Sequence, residues 1–198
     1  MRTAYVLTVN SDSERSQFSK EVLESVGFTV KFFNCIPHKN KVLSNKLSML
    51  EIYKTIANGE DEWCYVFEDD INVLEKIELP EIIEYEKLTN CFFYLGVCIA
   101  PYFTTSNFVK YNETINEKIV KGVSGGIRGL HAIGISKNGA EKLLEFSKDH
   151  ESTEYMDIVL EKFSEIHKAP VIRYDLESYI SGHKGIFFQD RNRFPSSI

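Results

Sequence analysis

The 198-residue sequence lacks most of the features that mark the special protein classes. It has no long basic run, and 23 Lys plus Arg stand against 29 Asp plus Glu, for a net charge of −6. That balance argues against a nucleic-acid backbone as partner. No stretch approaches the roughly 20 apolar residues of a membrane span. The opening "MRTAYVLTVNSDSER" turns polar too soon for a secretory signal. Cysteine is scarce: Cys35, Cys64, Cys91 and Cys98 sit singly in apolar segments, with no C-x-x-C pair. Such spacing predicts free thiols in a reducing compartment, hence a soluble, cytoplasmic protein. Also missing are a G-x-x-x-x-G-K-[ST] phosphate loop and a G-x-G-x-x-G after the first strand. Their absence disfavours P-loop NTPases and dinucleotide enzymes.

What remains suits one compact domain. Hydrophobic residues make up 43% of the chain and aromatics 13%, enough for a real core. "AYVLTVN" (4–10), "FTVKFFNCI" (28–36) and "WCYVFE" (63–68) read as buried strands. Between them, "SDSERSQFSKEVLESVG" and "LSNKLSMLEIYKTIANG" carry helical spacing and end on Gly27 and Gly59. Strand–helix–strand–helix–strand implies a parallel sheet with covering helices, with ligands outside the carboxyl ends of its strands. Further on, Cys91–Ile99 reads as a strand and 101–120 as an irregular loop. The glycines of "KGVSGGIRGLHAIGIS" precede another apolar strand, 136–149 and 154–167 give two helices, and "VIRYD" (171–175) a last strand. The tail "SGHKGIFFQDRNRFPSSI" has no regular pattern and reads as unstructured.

The chemistry concentrates in Glu68, Asp69 and Asp70, three consecutive carboxylates at the end of the third strand. In an extended segment Glu68 and Asp70 would face one way and Asp69 the other. An oxygen-rich pair at a strand end suits Mg²⁺ or Mn²⁺, and a cation there would offset the like-charge repulsion. Such a cation could grip a diphosphate and neutralise a leaving group. The bland alternative is a pair of acids capping a turn.

Other candidates come from position. His183, in "SGHKGIF", could complete a metal shell, and Lys184 beside it could meet a diphosphate; both could equally be surface residues. His131 reads as structural or as a pocket wall, and His38, His150 and His167 as solvated. Asp157, near a helix start, could be a general base, with Glu154 in reserve, or simply a residue the helix dipole favours. The glycines at 122, 125, 126 and 129, with Ser124 and Arg128, could let backbone approach a sugar or form a mobile loop. Tyr102, Phe103, Phe108 and Tyr111 could stack on an acceptor or fill a small core.

Several segments together resemble family 25 glycosyltransferases, the lipooligosaccharide-biosynthesis and procollagen-galactosyltransferase group. "AYVLTVNSDSERSQF" resembles the family's opening strand, polar turn and Arg-bearing helix. "KLSMLEIYKTI" is similar to its Ser-containing helix, "YVFEDDINV" to its acid motif and "HAIGISKNGAEKLL" to a later strand and helix, with Asp157 matching an acid in the next helix. Asn45-Lys46 and Met49 depart from the Gly-Cys and His that flank the family's Ser. Similar short forms occur in large DNA viruses of algae, which would place the protein in a host cytoplasm.

The resemblance implies a GT-A-like fold, with a Rossmann-type, mostly parallel sheet flanked by helices. It implies a nucleotide-sugar donor, a glycan or glycoprotein acceptor, and Mn²⁺ or Mg²⁺. Asp70 would be the direct metal ligand, with Glu68 or Asp69, while Thr8, Asn10, Arg15 and Ser48 would lie by the donor. Residues 1–75 would form the donor half and 90–198 the acceptor half. A nucleotidyltransferase and a non-catalytic nucleotide-sugar-binding domain are the rivals.

Overall fold

A computed structural model describes residues 2–99, 108–115, 118–123, 127–150, 155–178 and 182–195. The first half follows the expected alternation: β1 (Thr3–Thr8), α1 (Glu14–Val26), β2 (Thr29–Asn34), α2 (Lys41–Asn58) and β3 (Trp63–Glu68). Local chemistry sets these boundaries. Ser13 caps α1 by accepting from the Ser16 amide, Gly27 closes it at φ +112°, and Asn40 caps α2 through the Val42 and Leu43 amides.

β3 continues through a turn at Asp69–Asp70 into β4 (Ile71–Val73), followed by α3 (Leu79–Glu84) and β5 (Phe92–Ile99). Next come β6 (Phe108–Ile115), β7 (Lys118–Val123), β8 (Ile127–Ser136), α4 (Lys137–Lys148) and α5 (Met156–His167). The chain closes with β9 (Pro170–Val171), β10 (His183–Gly185) and β11 (Phe187–Gln189).

The main sheet runs β2-β1-β3-β8-β5-β9-β7-β6, with β10 on β5. β1 pairs parallel with β2 and β3, whereas β8 is antiparallel to both β3 and β5. Following the pairings, β2, β1, β3, β5, β9 and β6 share one direction, and β8, β7 and β10 oppose it. The sheet is thus mostly co-directional, as expected, but mixed in its second half.

Side-chain alternation along β3 builds a core on each face. Cys64 and Val66 join Met49, Ile52, Leu143, Leu160 and Phe163 beneath α2, α4 and α5. Trp63, Tyr65 and Phe67 join Leu23, Val26, Ile82 and Phe187 beneath α1 and α3. A strand buried on both faces reads as a continuous apolar run, which is why "WCYVF" shows no polar alternation.

Three expectations are corrected. Within 101–120, the described part is not an irregular loop: β6 and β7 pair antiparallel. Of "VIRYD", only Val171 pairs, and Arg173 sits in a turn at φ +52°. The described part of the tail, 182–195, is structured. β11 pairs antiparallel with β4, and Ile186 and Phe187 are fully buried. Two glycines make room for this crossing. A Cβ on Gly185 (φ +104°) would lie 2.5 Å from the Leu95 carbonyl oxygen, and one on Gly96 would lie 2.2 Å from that of Phe187. No helix among the described residues is long and apolar enough to cross a membrane.

Candidate functional site

A cavity of about 760 Å³ opens at the carboxyl ends of β1, β2 and β3. Its walls come from the turn after β1 (Val9, Asn10), from Arg15 on α1, and from the loop and first turns of α2, including His38, Lys41 and Asn45. Glu68, Asp69 and Asp70 form one side, joined by Gln189 and Arg191 from the tail.

The acids do not alternate as an extended segment would, because β3 ends at Glu68 and the next two residues turn. Asp69 and Asp70 instead converge on one guanidinium. Arg15 Nε donates to Asp69 Oδ1 at 2.6 Å, and its Nη2 lies 2.9 Å from Asp70 Oδ2. Thr8 Oγ1 donates to Asp69 Oδ2 at 2.7 Å, which ties the end of β1 to the cluster. The other oxygen of Asp70, Oδ1, is buried with no hydrogen-bond partner among the described residues. Glu68 accepts a hydrogen bond from Gln189 Nε2.

One arginine does not neutralise three carboxylates. Burial, then Asp70 and Asp69, push Glu68 up to about 8 against the pull of Arg191 and Arg15. Glu68 keeps part of its surface on the cavity, but it is walled closely enough for burial to dominate. Burial also raises Asp70; Arg15 and the nearby Gln189 amide work in the opposite direction.

A raised carboxylate binds more protons folded than unfolded, so its contribution to stability falls as pH climbs from about 4.5 to about 8. Differential scanning fluorimetry of the ligand-free protein should show this against Glu68→Gln. The variant is expected to melt higher by about 4–8 °C at pH 8.5, on the order of 2 kcal/mol, with the gap closing near pH 4.5. An unchanged gap across that range would remove Glu68 as its source.

The remaining expected residues are dispersed. Asn10 lies at the cavity rim, its Oδ1 accepting from the Asp12 amide. Ser48 is fully buried behind the wall, where it accepts from the Ile36 amide at 2.8 Å and donates to the Ser44 carbonyl. It shapes the β2–α2 loop, while Ser44 and Asn45 face the cavity. Lys184 pairs with Glu177 at 3.0 Å and lies over the Tyr174 ring, outside the cavity wall.

His183 is buried on β10 with its ring against Cys98 Sγ, 3.3 Å from Nε2, and against His131. Burial lowers its pKa to about 4. His131 is fully buried, so it is structural and not a cavity wall. Asp157 lies in the first turn of α5, Oδ1 accepting from the Ile158 amide. Asp157 lies outside the cavity wall. Glu154, Tyr102, Phe103, Ser124, Gly125 and Gly126 fall outside the described residues, as do the side chains of Phe108, Tyr111 and Arg128.

Sequence reading missed Gln189 and Arg191. The signal available was "GIFFQDR", whose apolar triplet next to polar groups could have marked a buried strand arriving at a site.

No known family and no curated protein matches the chain. Solved structures do. The CTP:phosphocholine cytidylyltransferase of Streptococcus pneumoniae is similar over 96% of this chain and 93% of its own, at 13% identity and TM-score 0.45. A glycosyltransferase involved in glycosylation of the major capsid of PBCV-1 is similar over 74% and 67%, at 10% identity and TM-score 0.43. UDP-glucose pyrophosphorylase complexed with UDP-glucose is similar over 88% of this chain and 90% of its own, at 10% identity and TM-score 0.54. The protein therefore shares the mixed, Rossmann-like α/β architecture of UDP-glucose pyrophosphorylase.

Proposed function

We propose that the protein is a divalent-cation-dependent glycosyltransferase. It would move a hexosyl unit from a nucleoside-diphosphate sugar, a UDP-sugar, to a hydroxyl of a glycan or glycoprotein, with inversion. One observation carries this reading: Glu68, Asp69 and Asp70 line a 760 Å³ cavity together with the guanidinium groups of Arg15 and Arg191. Carboxylates for a cation and guanidiniums for phosphate oxygens, side by side, are what a metal-bound diphosphate requires. The volume is within the range of small-molecule sites.

The residues fit Mn²⁺ or Mg²⁺. Asp70 Oδ1 is buried without a partner among the described residues, and Glu68 is disfavoured as an anion by burial and by its charged neighbours. Both conditions would be relieved by a cation. Among the described residues no three His, Cys, Asp or Glu groups form a ready cage, so Asp70 and Glu68 would share the ion with ligand oxygens and water. Bound there, the ion would neutralise charge on the departing diphosphate.

Arg15 and Arg191 would hold the same phosphates, and Thr8 and Asn10 would border the nucleotide, within the donor half, 1–75. Asp157 belongs to the acceptor half and would take the acceptor hydroxyl proton as that oxygen bonds to the anomeric carbon and the bond to the diphosphate breaks. In this arrangement Gln189 and Arg191 carry the second half back to the first.

Nucleotidyl transfer is the second reading, favoured by the architecture shared with UDP-glucose pyrophosphorylase. It needs a glycine- and base-rich loop to cradle a triphosphate, whereas the turn after β1 is Val9-Asn10-Ser11-Asp12-Ser13. Incubation with a panel of nucleotide sugars and Mn²⁺ decides between them. Release of UDP is expected; pyrophosphate from UTP and a sugar phosphate would overturn the glycosyl reading. Asp157→Asn should lower kcat about 100-fold with little change in the donor KM. Undiminished kcat would remove Asp157 as the base.

A further inference from the structure

Gln189 is about nine-tenths buried, at 6% exposure, on a strand 121 residues away from the carboxylate it touches. Its side-chain amide has one chemically allowed orientation. Arg191 Nη2, which can only donate, lies 3.0 Å from Gln189 Oε1. That oxygen must therefore face Arg191, and the NH₂ group must face Glu68, to which it donates. The backbone repeats the connection: the Asp190 amide donates to the Asp70 carbonyl at 2.7 Å, and Gln189 pairs in register with Ile71. The tail thus grips both ends of the acid triplet.

We infer that Gln189 is a positioning residue for the acid cluster: its amide, set by Arg191, aims the Glu68 carboxylate so that Glu68 and Asp70 share one divalent cation. The inference rests on the metal-dependent reading above. A neutral donor suits this position, because a lysine or arginine there would compete with the cation for the carboxylate. Arg191 stands at the cavity mouth, exposed, and holds the amide from its other side. Groups that orient metal ligands typically change metal affinity 10- to 100-fold when removed.

The test is Mn²⁺ binding, followed by electron paramagnetic resonance with and without UDP, on five proteins: wild type, Gln189→Met, Arg191→Met, the double variant and Glu68→Ala. Gln189→Met keeps the side-chain volume and removes the amide. It is expected to weaken Mn²⁺ binding at least 10-fold. The change caused by Arg191→Met should differ at least threefold between the wild-type and Gln189→Met backgrounds, since the direct field of Arg191 is common to both. Wild-type-like Mn²⁺ binding by Gln189→Met, with Glu68→Ala defective, would overturn the positioning role and leave the function standing. Failure of the wild type to bind Mn²⁺ in either condition would overturn the functional reading and this inference with it. A readout in the wild type does not depend on any variant folding. The Gln189 side-chain NH₂ protons should exchange at least 10-fold more slowly than those of a free glutamine amide, and equal rates would overturn the fixed orientation.

Discussion

Asp70→Ala is expected to lower Mn²⁺-dependent turnover about 100- to 1,000-fold while leaving the ligand-free protein at least as stable as wild type. The two effects have opposite signs for one reason. Asp70 is 1% exposed, one of its oxygens lacks a partner among the described residues, and burial disfavours its charge. Removing it relieves Glu68, for which Asp70 is the foremost charged neighbour. Arg15 does not become an orphan, because its Nε bond to Asp69 persists. The catalytic loss follows from the same geometry: with Asp70 gone, a cation loses its most buried oxygen ligand, and several kcal/mol of charge stabilisation go with it. Steady-state kinetics and a melting curve on one preparation provide both readouts. Undiminished activity would sink the metal role, whereas a collapsed melting temperature would show that Asp70 is structural. A residue whose removal stabilises the fold and disables the enzyme is the usual sign of a site maintained against stability.

Phe187→Ala should cost about 3–5 kcal/mol and lower the melting temperature by about 10 °C or more. Phe187 is fully buried, with its ring edge-on to Phe67 at 5.1 Å between centroids, in the cluster that includes Tyr65 and Phe93. Truncation there leaves a cavity beneath the sheet that the flanking aromatics cannot close. An unstructured tail would predict a change within about 0.5 kcal/mol, so chemical denaturation separates the two cases clearly. Cation binding should also weaken, because β11 carries Gln189 to Glu68.

The residues that were easy to read are those whose partners lie nearby in sequence or repeat with a short period. β1 through β3 were legible because caps, glycine stops and continuous apolar runs are local signals. The acids were legible because a charged triplet after "WCYVF" has few uses. Arg15 could be placed near the donor only through resemblance, and its actual position between Asp69 and Asp70 depends on how α1 packs. The tail was illegible because "HKGIFFQD" is too short to show a period, and its order comes from Gly96 and Gly185 allowing two backbones to cross. The alternation rule failed at Asp69 and Asp70 because the strand stops two residues earlier than the charges do. The segment that carries His183 and Lys184 reads differently for a related reason. Its flanking glycines, Gly182 and Gly185, read as a loop, whereas the segment is a strand on β5 that presents His183 to Cys98 and Lys184 to Glu177.

The pairing of β11 with β4 also has a consequence for birth of the protein. During synthesis, the acid triplet leaves the ribosome about 120 residues before Gln189, the group that holds Glu68. For that interval the nascent chain carries three crowded carboxylates, with Arg15 the nearest compensating charge and β4 an unpaired edge. Closing so long a loop is slow and comes late in folding. The site should therefore acquire its ligand geometry as one of the last events in maturation, so that a chain stalled before residue 187 would carry all three acids and lack the clasp that aims them.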